Sequence, residues 1–65
     1  MNKIIKVSHN DTQIAVTIQT PTEYQIHLYN ENGYVELHSR SDTLETALEY
    51  HQYLCEKCDI KNAIK

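Results

Sequence analysis

Residues 24–40, YQIHLYNENGYVELHSR, decide the fold that we expect from the sequence. Apolar and polar side chains alternate on both sides of Asn32-Gly33, the strongest short signal for a β-hairpin with a two-residue turn. Both turn residues accept positive φ angles, so the turn chemistry agrees with the alternation. The segment therefore predicts antiparallel strands at about residues 24–30 and 34–40.

A type I′ turn at this dipeptide would fix the register of the two strands. It places Leu28 opposite Leu37 and Ile26 opposite Ser39 on one face. A three-residue loop would set Leu28 against Glu36, and the apolar pattern rejects that alternative. On the other face the preferred register pairs polar and aromatic residues: Gln25 with Arg40, His27 with His38, and Tyr29 with Glu36.

The residues before this segment predict a first hairpin by the same alternation. Its strands are expected at about residues 2–9 and 12–19, joined by a turn at Asn10-Asp11. This turn would place Val7 opposite Ile14 and Ile5 opposite Val16.

After Arg40 the apolar period changes to that of a helix, expected at about residues 42–59. Asp42 is the expected N-cap, and Glu45 completes a capping box. Residues 60–65 are expected to form a loose tail. One face of the helix gathers apolar residues and a histidine: Leu44, Ala47, Leu48, His51, Leu54, Cys55 and Cys58.

These elements predict one small α+β domain over residues 1–65. The expected architecture is a four-stranded antiparallel β-meander of two hairpins, with one C-terminal α-helix packed on one face, in the order β-β-β-β-α. The layer expected to face the helix is aliphatic: Ile14, Val16, Ile18, Ile26, Leu28, Val35 and Leu37.

The segment HQYLCEKC, residues 51–58, carries the residue types of a metal or redox site. A redox pair normally sits at a helix N-terminus, where the dipole lowers the thiol pKa, whereas Cys55 and Cys58 fall near the helix end. His51, Cys55 and Cys58 supply three of the four ligands that structural zinc needs. We therefore expect buried core residues and no cofactor, with metal binding as an alternative if a fourth ligand comes from elsewhere.

The sheet face away from the helix is the predicted binding site, because tyrosine and arginine anchor protein interfaces. Its candidate partner-binding residues lie on the second hairpin: His27, Tyr29, Tyr34, Glu36, His38 and Arg40. A secondary acidic surface is expected on the helix: Glu45, Glu49, Tyr53 and Glu56.

Composition and charge argue against several function classes. Six Lys and Arg against nine Asp and Glu give a net charge of −3, which does not favour nucleic-acid binding. There is no apolar run long enough to span a bilayer, and the N-terminus lacks the apolar core of a signal peptide, so we expect a cytoplasmic protein. There is no Gly-rich phosphate loop or catalytic motif, so we expect no enzyme.

The function expected from these features is a small non-enzymatic module that binds another protein. An accessory or inhibitor protein of a phage or mobile element, docking on a host protein, fits the size and mild acidity. Self-association is a close variant, because a small core and an open sheet edge favour a homo-oligomer.

The order of elements also carries a family resemblance. Three strands followed by a helix that begins within SDTLETALEYHQYL, residues 41–54, resemble the arm-binding domains of phage-type integrases and plant AP2 domains. The resemblance implies a sheet that lies in the DNA major groove. Those sheets present several Arg and Trp residues, whereas this chain has no Trp and offers Lys6 and Arg40. Sheet-mediated DNA binding is therefore an alternative function.

Overall fold

One antiparallel sheet and one helix form the molecule. The computed structural model describes residues 2–64, with side chains described for residues 2–61. The elements are β1 (Lys3–His9), β2 (Gln13–Gln19), β3 (Tyr24–Asn30), β4 (Gly33–Ser41), α1 (Leu44–Lys57) and β5 (Asn62–Ile64). The sheet has the spatial order β4-β3-β2-β1-β5. The predicted α+β class, with four antiparallel strands followed by one helix, is confirmed.

The chain after the helix returns to the sheet through a Schellman motif. Asp59 adopts the left-handed conformation, with φ 57°. The Ile60 amide donates to the Cys55 carbonyl at 2.8 Å, and the Asp59 amide donates to the Glu56 carbonyl at 3.4 Å. The following residues pair with β1 as β5. The expectation of a loose tail is therefore wrong for residues 62–64, which form β5, and residue 65 lies outside the described residues.

The turn of the second hairpin lies one residue earlier than predicted. Asn30 pairs with Gly33, so the turn residues are Glu31 and Asn32. The Asn30 side-chain oxygen accepts a hydrogen bond from the Asn32 amide at 2.8 Å. Gly33 has φ 117°, and Asp59 is the one non-glycine with positive φ among residues 2–64. The predicted type I′ turn at Asn32-Gly33 is therefore wrong, because it requires positive φ at both of its central residues.

Two β-bulges in β4 then change the register along the hairpin. Val35 and His38 are the extra residues, because neither has a partner on β3 and the register shifts by one residue at each. The predicted pairs Ile26–Ser39 and Gln25–Arg40 are confirmed, because two one-residue shifts restore the register at that end. The predicted pairs Leu28–Leu37, His27–His38 and Tyr29–Glu36 are wrong. The observed pairs there are His27–Leu37, Leu28–Glu36 and Tyr29–Tyr34.

The first hairpin also turns one residue away from the predicted position. The Asn10 amide donates to the Gln13 carbonyl at 2.9 Å, which closes a turn at Asp11-Thr12. The Asn10 side-chain oxygen accepts from the Thr12 and Gln13 amides at 2.9 and 2.7 Å, so Asn10 organises the turn from outside it. In consequence Val7 opposes Val16, and the predicted pair Val7–Ile14 is wrong. Ile5 sits at a register irregularity, so its predicted pairing with Val16 is also wrong.

The helix is shorter than predicted at both ends. Thr43 is the N-cap, and its side chain accepts a hydrogen bond from the Thr46 amide at 3.3 Å. Asp42 therefore does not cap the helix, which begins at Leu44. The helix ends at Lys57, because the left-handed Asp59 stops the α-helical backbone.

The helix packs on the opposite face of the first hairpin from the one predicted. Ala15 and Thr17 have no exposed surface under the helix, whereas Ile14 is 42% exposed. Ile26 and Leu28 are buried, as expected for the helix-facing layer. The others of that predicted layer are not buried, namely Ile14, Val16, Ile18, Val35 and Leu37. The core is consequently small: Ala15, Ile26, Leu28, Ala47, Leu54, Cys55 and Ile60.

Candidate functional site

The sheet face turned away from the helix is the candidate site, and we name it the outer face. Cross-strand pairing places its residues in three rows from β4 to β1. The first row is Arg40, Gln25, Ile18 and Ile4. The second is Leu37, His27, Val16 and Val7. The third is Tyr34, Tyr29, Ile14 and His9.

Aliphatic and aromatic side chains dominate the outer face. Ile4 is 66% exposed, Tyr34 55%, Ile14 42% and Leu37 39%. No element of residues 2–64 covers them, because α1 packs on β2, β3 and β4 from the other side. Contiguous exposed apolar surface of this kind marks interaction sites in proteins.

Two tyrosines and a histidine contact one another on the β3–β4 half of the outer face. The Tyr29 and Tyr34 rings meet edge to face with centroids 5.3 Å apart. The Tyr34 hydroxyl lies 3.1 Å from His27 Nδ1, and His27 Nε2 lies 3.0 Å from Gln25 Oε1. Since Gln25 Oε1 can only accept, His27 Nε2 carries the proton and Nδ1 accepts from Tyr34. Burial lowers the pKa of His27 from 6.5, which favours this neutral ring.

An ion pair continues this network at the rim. Arg40 Nε donates to Glu23 Oε2 at 2.7 Å, and Gln25 Nε2 donates to the same oxygen at 2.8 Å. The bond from Arg40 and the bond from Gln25 lower the pKa of Glu23 below 4.5. The pKa of Arg40 is raised by the same carboxylate. The polar groups of this corner are therefore already engaged with one another.

Four of the six predicted partner-binding residues come together on the outer face: His27, Tyr29, Tyr34 and Arg40. Glu36 does not, because it pairs with Leu28 on the helix side. His38 does not either, since the bulge brings its ring to 6.0 Å from that of Tyr53 on the helix. The two bulges in β4 account for both corrections.

The aliphatic half of the outer face was missed by the sequence interpretation. Ile14, Val16 and Ile18 were assigned to the core because large aliphatic side chains usually face a helix. A signal against that assignment was present in the helix. His51 lies at the centre of its buried face and needs hydrogen-bonding partners, and the hydroxyl residues Ser8 and Thr17 alternate with the aliphatic ones.

His51 is held in the core by two hydroxyl groups. Its side chain is 1% exposed, with Nε2 2.8 Å from Ser8 Oγ and Nδ1 2.8 Å from Thr17 Oγ1. Burial and the positive charge of Lys6 lower the pKa of His51 from 6.5 to about 4. A ring of such low basicity, oriented by a hydroxyl and not by a carboxylate, is poorly suited to activate Ser8. The arrangement satisfies the hydrogen-bonding groups of three buried side chains, Ser8, Thr17 and His51.

Cys55 and Cys58 are free thiols near the end of the helix. Cys55 is buried, and burial raises its thiol pKa. It lines an open cleft of about 530 Å³ beside β1, together with Ser8 and Lys6. Among residues 2–64, no group of three or more His, Cys, Asp and Glu side chains is placed to hold a metal ion. Both ring nitrogens of His51 are engaged by hydroxyls, so His51, Cys55 and Cys58 do not form a ligand set.

The charged residues lie mostly away from the outer face. The predicted acidic surface is exposed on the helix, at Glu45, Glu49, Tyr53 and Glu56. Lys6 pairs with Thr17 on the helix side of the sheet and does not join Arg40. A sheet that binds DNA as in integrase arm-binding and AP2 domains would need Lys6 and Arg40 on the same face. Lys6 lies on the helix side and Arg40 on the outer face.

Over residues 2–64, no helix is both long enough and apolar enough to cross a bilayer. Comparison with models of protein families, with curated proteins and with solved structures found no match.

Proposed function

We propose that the chain is a non-enzymatic protein-binding module that docks through its outer face. The observation that carries this proposal is the position of the aliphatic side chains. Ile14, Val16 and Ile18 line the sheet on the side without a helix, where Ile14 is exposed and Val16 and Ile18 are partly exposed, so a docking molecule would remove their remaining surface from water.

The aromatic half of the face supports the same function. Tyrosine is enriched among residues that dominate binding energies, and Tyr29 and Tyr34 already hold each other edge to face. Side chains fixed before binding lose less conformational entropy when a partner arrives. The partner surface that fits is apolar, because His27 and the Arg40–Glu23 pair are already hydrogen-bonded within the chain.

More specifically, we propose that the chain is an accessory protein of a phage or mobile element that inhibits a host protein by covering part of its surface. Its support is the small size of 65 residues and the net charge of −3, which suit a protein that acts by occupying a surface. We place it in the cytoplasm, since two free thiols suit a reducing compartment.

Capture from a lysate of the native cell, with matched charged variants as baits, tests the proposal. Leu37→Arg puts a charge on the outer face, and Leu48→Arg puts it on the helix at similar exposure, 39% against 36%. We expect a stoichiometric partner with the wild type and with Leu48→Arg, and about tenfold less of it with Leu37→Arg, because a buried unpaired charge disfavours binding. Equal recovery with all three baits would contradict docking through this face.

A further inference from the structure

We propose that a second copy of this chain occupies the outer face when no other partner is bound, so that the free protein is a face-to-face homodimer. The inference rests on the proposed function, since it names the resting occupant of the same face. Two sheets packed in this way complete a sandwich with a helix on each outside surface.

The distribution of large aliphatic side chains is the first argument. The core of one copy contains four of them, Ile26, Leu28, Leu54 and Ile60, beside alanines and a cysteine. The outer face carries six, of which three are exposed and three are half-buried: Ile4, Ile14 and Leu37, then Val7, Val16 and Ile18. A domain of 65 residues is near the lower limit for folding on its own core, so burying this second set would contribute a large share of the stability.

The charge of the outer face is the second argument. The molecule is acidic overall, and two acidic surfaces would repel each other. The outer face has Glu23 at its rim, where Arg40 neutralises it. The remaining acidic residues lie in turns, on the helix side of β4, or on and around the helix: Asp11, Glu31, Glu36, Asp42, Glu45, Glu49, Glu56 and Asp59. Asp11 and Glu31 border one end of the face, where they line a cleft with Val7, His9 and Ile14. Two copies can therefore meet through the centre of this face without burying an unpaired carboxylate.

The size of the face is the third argument. Four strands about 4.8 Å apart, each of seven residues at about 3.4 Å, project an area of roughly 450 Å². The accessible surface of side chains standing on a sheet exceeds this projection, and β5 widens it. Two copies would thus bury about 1,000 Å² or more in total, which reaches the lower end of the range for specific interfaces.

The two halves of the outer face are also complementary. Tyr29 and Tyr34 lie on β3 and β4, and Ile14 and Val16 lie on β2. Consider a two-fold axis that lies in the interface, parallel to the strands and between β2 and β3. It reverses the spatial order of the strands in the second copy, so the β3–β4 half of one copy covers the β1–β2 half of the other. Aromatic rings then cover aliphatic side chains twice in each dimer.

Sedimentation velocity across a concentration series from about 1 to about 300 μM, which brackets micromolar dissociation constants, tests the inference. We expect the wild type to sediment at twice the chain mass of 7.6 kDa. Ile14→Arg should sediment as a monomer, with a dimer dissociation constant raised by about 100-fold or more, because two unpaired charges would face the interface. The matched control is Leu44→Arg on the helix, since Leu44 is 43% exposed and Ile14 is 42% exposed; it should remain dimeric.

Circular dichroism of each variant separates loss of the dimer from loss of the fold. If Ile14→Arg is unfolded, Tyr29→Ala on the same face serves instead and should also weaken the dimer. A wild type that is monomeric throughout, or a dimer that Leu44→Arg dissociates and Ile14→Arg does not, would overturn the inference. A monomeric wild type whose captured partner is lost with Leu37→Arg would leave the proposed function standing, so the two failures are distinguishable.

Discussion

Replacing His51 by leucine is expected to lower the free energy of unfolding by about 2–4 kcal/mol, although leucine is the more apolar residue. Ser8 Oγ and Thr17 Oγ1 each lie 2.8 Å from a ring nitrogen of His51. Both serine and threonine are buried, at 4% and 0% exposure. Their hydroxyls would lose these partners in the variant, and each unsatisfied buried group costs about 1–3 kcal/mol. Urea unfolding at fixed protein concentration and about pH 7 measures the change.

The control removes the hydroxyls together with the ring. In Ser8→Ala/Thr17→Val/His51→Leu the whole polar cluster becomes apolar at similar volume. We expect this triple variant to recover most of the stability lost by His51→Leu, because no polar group is left without a partner. If His51→Leu alone is as stable as the wild type, the hydroxyl bonds contribute nothing and this part of the structure is wrong.

Acidification from about pH 7 to pH 4 is expected to destabilise the wild type by about 3 kcal/mol through His51 alone. The folded pKa of His51 is lowered to about 4 from 6.5, so the unfolded chain binds the proton more tightly than the folded one. Stability is therefore fully present above pH 6.5 and falls as the pH drops towards 4, where the folded state also becomes protonated. The cause is burial of the ring, with a smaller effect of the positive charge of Lys6.

Unfolding free energies at intervals between these pH values test this dependence. The triple variant lacks the histidine, so it should lose far less stability over the same range. It keeps His27, whose pKa is lowered by burial and which contributes in the same direction. It also keeps Glu23, whose pKa is lowered in the folded state. The stability that this carboxylate contributes to the fold is lost only as the pH falls below about 4.5. Equal slopes for the wild type and the triple variant would show that His51 is not buried in its neutral form.

The sequence predicted which elements form more reliably than it predicted how they face one another. The alternation in residues 24–40 and the helical period after Arg40 were sufficient for four strands and a helix. The turns were misplaced because Asn10 and Asn30 organise them through their side chains from the preceding position. The β5 strand was missed because Asp59 takes a backbone conformation that a sequence usually signals with glycine.

The candidate site was partly predicted, and the limit has a physical cause. Tyr29, Tyr34 and His27 were expected on the free face and lie there. Tyr29 and His27 do so because β3 kept its predicted orientation, and Tyr34 does so because it pairs with Tyr29. Ile14, Val16 and Ile18 were expected in the core, because hydrophobicity alone does not show which face of the hairpin the helix covers. The buried His51 needs hydrogen-bonding partners, and Ser8 and Thr17 supply them only when their side of the first hairpin faces the helix.

Methyl–methyl nuclear Overhauser effects between the first hairpin and the helix test most directly whether the large aliphatic side chains of β2 point away from α1. The Ala15 methyl should show cross-peaks to the methyls of Ala47 and Leu54, while those of Val16 and Ile18 show none to either helix residue. Cross-peaks from Val16 and Ile18 to Leu54, without any from Ala15, would show that the first hairpin faces the helix in the opposite orientation. The outer face would then lose its aliphatic surface, and both the docking module and the dimer would lose their basis.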